Sequence, residues 1–419
     1  ILMVLFLCFV AGAAFLLYKY LPFVQARVAS GSAGRLELWP GVIEMIKECP
    51  AVGWGAWVFR YLFPAYKIGF ANITWRYAHN EFLHIASETG LIGLGLTLLM
   101  IIVWYVRWIL NYARSESWRT TVVSAIALAA VSASLVHALF DFNLTTYANG
   151  YVLLLIVGTA AGVEFAGLRK KERVLPKLGL AVNAIGGLGS LLLLGVTAVL
   201  FMNQLHMFIG NRQLYIARDY PAALESFENA EVWYDGYWRT YYHKGVAHRR
   251  LMKKPGTPVP EILSYRGRAL ADLTRCYELN PYFQAGVYEL GELFEHRMDY
   301  DMQVALLKEV ISLDPQRNFY WQHYFRRLRR MGATDEIKEA CRLALQAGVL
   351  NQRQLYHLLR KEKIKGVDVK AIAKEVAANP QPVPLRIFRT DEQALTPLYS
   401  WEYAEDGSIK SWDHALLKK

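Results

Sequence analysis

Cysteine is scarce in this chain of 419 residues. The four present, Cys8, Cys49, Cys276 and Cys341, form no C-x-x-C pair and no metal-ligand spacing, which excludes a dithiol redox or zinc-ribbon reading. Cys276 and Cys341 are able to bridge in an oxidising compartment, but two buried thiols are the simpler expectation. A concentrated basic face is also missing. The net charge is +11, yet much of it sits at the ends of apolar segments and the rest is spread through a tail rich in Glu and Asp. Nucleic-acid binding is therefore not expected. After about residue 205 the chain has hardly any long apolar run, whereas before it such runs are frequent. A membrane half and a soluble half follow.

Ile1 to Tyr18, Leu91 to Leu110, Thr120 to Phe140, Tyr147 to Gly167 and Leu178 to Met202 each approach or exceed the roughly 20 residues needed to cross a bilayer core. Five spans are predicted, the first beginning inside an apolar run rather than at a methionine, so the stretch is expected to be the C-terminal part of something longer. Lys and Arg near span ends stay on the cytoplasmic side. Arg107, Arg114 and Arg119 mark one short loop, and Arg169, Lys170, Lys171, Arg173 and Lys177 another, while the turn from Asp141 to Thr146 has no basic residue. Both basic loops belong inside. Lys19 to Gly90, the 141–146 turn and everything after Met202 then face outward.

From Asn203 onward the pattern changes to amphipathic helices, expected at roughly Tyr220 to Glu231, Trp238 to Leu251, Ile262 to Leu279, Tyr282 to His296, Tyr300 to Leu313, Phe319 to Arg330 and Thr334 to Ala347. Asn280-Pro281 recurs 34 residues later as Asp314-Pro315, and Ala230-Glu-Val-Trp-Tyr-Asp lies 46 residues before the matching Cys276, the excess fitting an insertion at Lys253 to Pro260. The period is the tetratricopeptide one, and such helix pairs stack into a solenoid. The interior of the helices matches less well, since Gly291 is followed one period later by Phe325. Asn379-Pro-Gln-Pro-Val-Pro ends the helical region in favour of an extended chain, and the last thirty residues look irregular. The fold class expected is all-α: a polytopic transmembrane domain over 1–205 with a large outer loop at 19–90, a tetratricopeptide-like solenoid over 206–378, and an extended tail over 379–419.

The outer loop carries Arg35-x3-Trp39-Pro40, Pro50-x2-Gly53-x-Gly55 and His79-Asn80. Pro40 suits the first position of a helix over Gly41 to Glu48, and Pro50 cannot continue it. Gly53 and Gly55 allow a tight backbone path beside a ligand or a neighbouring helix. Asn80 is a good cap for a helix from Glu81 to about Glu88, which Gly90 hands to the next span. His79 would stand at the positive end of that helix, where imidazolium is disfavoured, and so be able to accept a proton. The plainer reading of His79 is a capping or interfacial histidine. His84 lies about 140° further around the helix, so the pair cannot hold one metal on one face. Arg35, Arg60 and Arg76 read as anion contacts or as side chains snorkelling to lipid phosphates. His137 and Asp141, four apart, suggest a plain i, i+4 hydrogen bond.

Taken in order, Arg35-x3-Trp39, Pro50-x2-Gly53-x-Gly55, His79-Asn80-x2-Leu83 and Glu88 to Gly93 entering a span resemble the O-antigen ligase and polymerase superfamily of bacterial envelope glycosyltransferases, over about residues 1 to 165. His137-Ala-Leu-Phe-Asp141-Phe is similar to a pattern that follows this loop in members ending in a tetratricopeptide tail. The resemblance implies an inner-membrane enzyme that moves a glycan from an undecaprenyl diphosphate carrier to a hydroxyl acceptor on the periplasmic face, with neither metal nor other cofactor. The acceptor would be lipid A core, a growing glycan or a protein. It further implies that Arg35 receives the departing diphosphate and His79 acts as base, with Asn80, Arg60, Arg76 and Trp39 as substrate contacts. Trp54, Trp57 and Trp75 offer sugar-stacking faces or interfacial anchors. Members usually carry ten or more spans and a further arginine in an earlier outer loop, neither present in this stretch, so the fragment alone is expected to be incomplete. A reading from another class is a non-catalytic membrane-anchored scaffold whose solenoid binds a protein partner.

Overall fold

The computed structural model describes residues 38–67, 75–114, 117–142, 147–171, 176–294, 300–379, 399–403 and 409–414. Its backbone is α-helical apart from one β-ribbon near the C-terminus, and it divides into two compact units, 1–68 with 74–165 and 69–73 with 166–419.

In the first unit, α1 (38–48) buries Leu38, Val42 and Met45, spaced so that they share one helix face. The helix already includes Leu38 and Trp39 ahead of Pro40, one turn-edge earlier than its proline suggests. Gly41 meets the short segment formed by α2 (Phe59–Leu62) and a 3₁₀ turn (Phe63–Tyr66), where a Cβ would lie 2.5 Å from the Tyr66 carbonyl oxygen. Tyr66 donates its hydroxyl to Glu48 at the far end of α1, at 2.8 Å. Next come α3 (Glu81–Arg114), α4 (Trp118–Ala138) and α5 (Tyr147–Lys171). The last three meet where Trp108, Ala127 and Ala160 are buried together, small residues on two helices making room for an indole on the third.

Among the described residues, three helices are long and apolar enough to cross a membrane: Glu81–Leu110, Trp118–Ala138 and Leu191–Ala217. They overlap three of the five expected spans. Ile1 to Tyr18 lies outside the described residues. The fourth expected span, Tyr147 to Gly167, does form a helix, α5, but its described apolar stretch, Asn149–Gly162, is shorter than a bilayer core requires.

The second unit starts with α6 (Pro176–Arg212), which extends ten residues past Met202 and ends in a π turn (Gln213–Ala217) closed by Arg218 in the left-handed region. The composition changes at Asn203, but nothing there breaks a helix. Residues after 203 belong to the tail's core, where Met207 and Leu214 pack with Ala223, Phe227, Ala230, Val246 and Ala247. Asp219 caps α7 (Tyr220–Trp233) by accepting from Ala222 N–H, and α7 runs back along α6.

Beyond it, α8 (Trp238–Met252), α9 (Val259–Leu279), α10 (Gln284–Phe294), α11 (Tyr300–Leu313), α12 (Asn318–Met331) and α13 (Thr334–Gln346) fall within a few residues of the expected bounds, each packed on the one before. The shorter α14 (Gln352–Lys361) and α15 (Val369–Ala378) close the helical region. Tyr234, Asn280 and Asp314 each donate a backbone N–H to the residue four before, Ala230, Cys276 and Val310, ending α7, α9 and α11 in the same way. The helices are paired by side chains of matching role: Gly245 faces Leu273 and, 46 residues on, Gly291 faces Leu306. Cys276 and Cys341 are buried free thiols, with burial pushing the Cys341 thiol up to about 12. They therefore pack as small hydrophobes. Where irregular chain was expected, β1 (Tyr399–Tyr403) and β2 (Ile409–His414) pair antiparallel, with Trp401 opposite Trp412.

Candidate active site

The glycines of Pro50-x2-Gly53-x-Gly55 and of Glu88 to Gly93 form a single device. Helix α3 breaks at Gly90 (φ 69°, ψ −177°), so the N–H groups of Leu91 and Ile92 lose the carbonyls of Ser87 and Glu88 that a continuous helix would supply. The loop replaces both sides of each bond. Leu91 N–H donates to Pro50 (2.7 Å) and Ile92 N–H to Ala51 (3.2 Å), while Trp54 N–H donates to Ser87 (3.1 Å) and Gly55 N–H to Glu88 (2.8 Å). All four groups freed by the break are satisfied. Two backbones approach too closely for side chains: a Cβ on Gly90 would overlap the Ala51 carbonyl, and one on Gly53 would lie 2.5 Å from Gly90 N. The Glu88 carboxylate adds a further tie by accepting from Phe59 N–H at 3.2 Å. Thus Pro50-x2-Gly53-x-Gly55 is a splint across the broken helix, and its glycines meet backbone rather than a ligand.

That splint holds the first two turns of α3, and the chemistry-bearing residues stand at their start. Asn80 accepts Leu83 N–H on its side chain at 3.0 Å, the cap read from the sequence. His79 precedes it with φ 49°, a left-handed conformation that costs a non-glycine residue energy. Trp39 Nε1–H donates to the carbonyl of Ala78 at 3.1 Å, so the start of α1 fixes the residue before the histidine. Trp75 and Phe142 meet the imidazole edge-to-face at 5.1 and 4.8 Å, and Tyr77 stacks on Phe142.

Asp141 Oδ1 lies 3.0 Å from His79 Nδ1, the two side chains 29% and 16% exposed. A carboxylate can only accept, so Nδ1 carries the proton and Nε2 is the basic nitrogen of the neutral ring. The same oxygen accepts Phe142 N–H at 2.9 Å, and Asp141 N–H donates to His137 carbonyl, anchoring the aspartate at the end of α4. The expected i, i+4 pair is corrected accordingly. His137 offers Asp141 its backbone, and the carboxylate reaches His79, 62 residues earlier. The expected setting of His79 also changes, from a helix dipole alone to a dipole opposed by a nearby carboxylate. A histidine oriented by a half-buried carboxylate has the geometry that general-base chemistry requires.

The remaining candidates separate. Arg35 lies outside the described residues. Arg60 lies over the ring of its neighbour Tyr61 at 5.0 Å, and Arg76 is exposed. Trp54 donates its indole N–H to Met45 carbonyl at 2.8 Å, tying loop to α1, whereas Trp57 is exposed. His84 is buried against Phe59 and Tyr77, with Nε2 3.7 Å from Glu88, apart from the surroundings of His79. Asp141 is the residue that sequence reasoning passed over as a partner. Its signals were the His137-x3-Asp141 spacing at the end of a span and the His137-Ala-Leu-Phe-Asp141-Phe pattern that contains it.

Residues 1–98 match the family model described as O-antigen ligase, an interval that contains Arg35, Trp39, the glycine splint, His79 and Asn80. No curated protein matches the chain. The match to an O-antigen ligase model, together with apolar helices long enough for a bilayer, supports a membrane glycosyltransferase-like role.

Proposed function

We propose that this chain carries the catalytic outer loop of an enzyme that transfers a glycan from an undecaprenyl diphosphate carrier to a hydroxyl acceptor. The observation that carries the reading is the 3.0 Å contact between Asp141 and Nδ1 of His79 at the start of α3. The acceptor oxygen attacks the anomeric carbon, its proton passes to Nε2 of His79, and the bond from that carbon to the phosphate oxygen breaks. Asp141 stabilises the imidazolium so formed and holds the ring in one tautomer. Negative charge collects on the departing diphosphate, which a guanidinium receives through a planar fork. The resemblance assigns that role to Arg35. Nothing in this sequence of bond changes calls for a metal. Asn80 and Trp39 act by fixing the backbone on either side of His79, and Arg60, Arg76 and Trp57 are left as carrier or glycan contacts.

In this reading the chain crosses the inner membrane five times and places the loop and the tail on the periplasmic side, as its Arg and Lys distribution directs. The tail is a tetratricopeptide-like solenoid, supported by the recurrence of Asn280-Pro281 as Asp314-Pro315 after 34 residues, and it presents the acceptor or a protein partner. The test is consumption of undecaprenyl-linked glycan by the protein in proteoliposomes. His79→Ala and Arg35→Ala are expected to abolish transfer while the protein remains inserted with an unchanged unfolding midpoint. Normal turnover in both variants would replace the enzyme by a membrane-anchored scaffold.

A further inference from the structure

The turn between α7 and α8 exposes a run that a soluble surface has little reason to carry. Val232 is 85% exposed, Trp233 41% and Tyr234 43%, with exposed Asp235 next. Its height along α6 is fixed by Asn203, which is fully buried and donates Nδ2–H to the carbonyls of Ala230 (2.7 Å) and Tyr234 (3.4 Å). Asn203 directly follows the apolar run of α6, whose Leu191 to Leu194, Leu200 and Phe201 are exposed. At the opposite end of the helix pair Ser226 meets Gln213, so α7 runs antiparallel to α6 and brings its C-terminus back to the level where the apolar run stops.

That level is the edge of the hydrocarbon layer, where Trp and Tyr place an apolar ring body beside the acyl chains and a polar atom among headgroups. The exposed apolar face of α6 continues past Asn203 through Leu205, Phe208 and Ile209. A charged Asp235 beside them suits the headgroup zone and not the hydrocarbon. We propose that the α7–α8 turn is a membrane foot, seating Val232, Trp233 and Tyr234 in the headgroup layer of the bilayer that α6 crosses. The proposal rests on α6 being a span, and is independent of the transferase chemistry. The foot prevents the first helix pair of the tail from rotating about α6, which fixes the face the later pairs turn toward the membrane.

An environment-sensitive fluorescent amino acid, introduced by codon suppression at Leu193, Val232 or Ile216 of the full chain, tests it in phosphatidylethanolamine and phosphatidylglycerol vesicles with nitroxide-labelled lipids. Ile216 is the control, being 73% exposed and apolar like Val232 but 13 residues beyond Asn203, about 20 Å along the helix. The expected result is lipid quenching at 193 and 232 and none at 216. Quenching at 193 with 232 open only to aqueous iodide would overturn the foot. No lipid quenching at 193 would overturn α6 as a span and the foot with it, whatever the transfer activity.

Discussion

Replacing Asp141 separates the two things its carboxylate does for His79. Asparagine keeps an oxygen that is able to accept both the imidazole Nδ1–H and Phe142 N–H, now at 3.0 and 2.9 Å, so Asp141→Asn removes the charge and leaves the geometry. A hydrogen bond to a charged group contributes about 1.5–3 kcal/mol against about 1 for a neutral one. The difference is therefore about 0.5–2 kcal/mol, or roughly 2- to 30-fold in rate. Asp141→Ala removes the acceptor as well. The ring keeps its edge contacts with Trp75 and Phe142 but loses the carboxylate that selects its tautomer. Its loss should approach the whole contribution of a positioned base, about 10² to 10⁴-fold, and so converge on His79→Ala. The assay is single-turnover transfer from undecaprenyl-linked glycan at saturating acceptor, with unfolding midpoints recorded for each variant. Wild-type rates in both variants, or an Asn variant slower than the Ala one, would refute the argument that Asp141 acts through the imidazole.

The splint predicts a contrast among glycines. Gly90→Ala and Gly53→Ala force a Cβ into opposing backbone at φ near +69° and +68°, at a cost of roughly 2–4 kcal/mol, whereas Gly95→Ala in the same helix, with nothing within 4 Å, should be neutral or slightly stabilising. Thermal unfolding in detergent reads the difference, and equal midpoints for all three would contradict the backbone exchange at Gly90. In the tail, burial and then nearby Arg239 hold His243 at about 4 against an ordinary 6.5, with its ring stacked on Phe227 and Nδ1 at 3.0 Å from the Tyr215 hydroxyl. The unfolded chain then binds the extra proton first. Stability is intact above pH 6.5 and falls by ~3 kcal/mol as pH drops toward 4. His243→Phe should flatten that part of a stability-against-pH curve, and an unchanged slope would place the acid sensitivity elsewhere.

Helices α7 to α13 were legible to within a few residues because each is a local matter of amphipathic period, cap and stop. The cap at Asn80 and the break at Gly90 were legible for the same reason. The partner of Asp141 was not. Periodicity speaks only of neighbours three or four residues away, so it offered His137, and the return of α4 to the loop lies in packing across 62 residues. The purpose of Gly53 and Gly55 was half visible, since a close approach was evident but its target, the carbonyls freed at Ser87 and Glu88, depends on the kink. The end of α6 was misplaced because hydropathy marks where lipid stops, and a helix with no proline or capping signal at Asn203 has no reason to stop there.

An uninterrupted α6 also makes the tail a lever. Between Met202 and Ala217 no glycine hinge or proline relieves it except Gly210, which is packed against the ring of Phe227. A change of 10° in the tilt of this segment would therefore carry the first helix pair sideways by about 4 Å over its roughly 22 Å length. Bilayer thickness, which sets how a span leans, thereby becomes an input to where the repeats point.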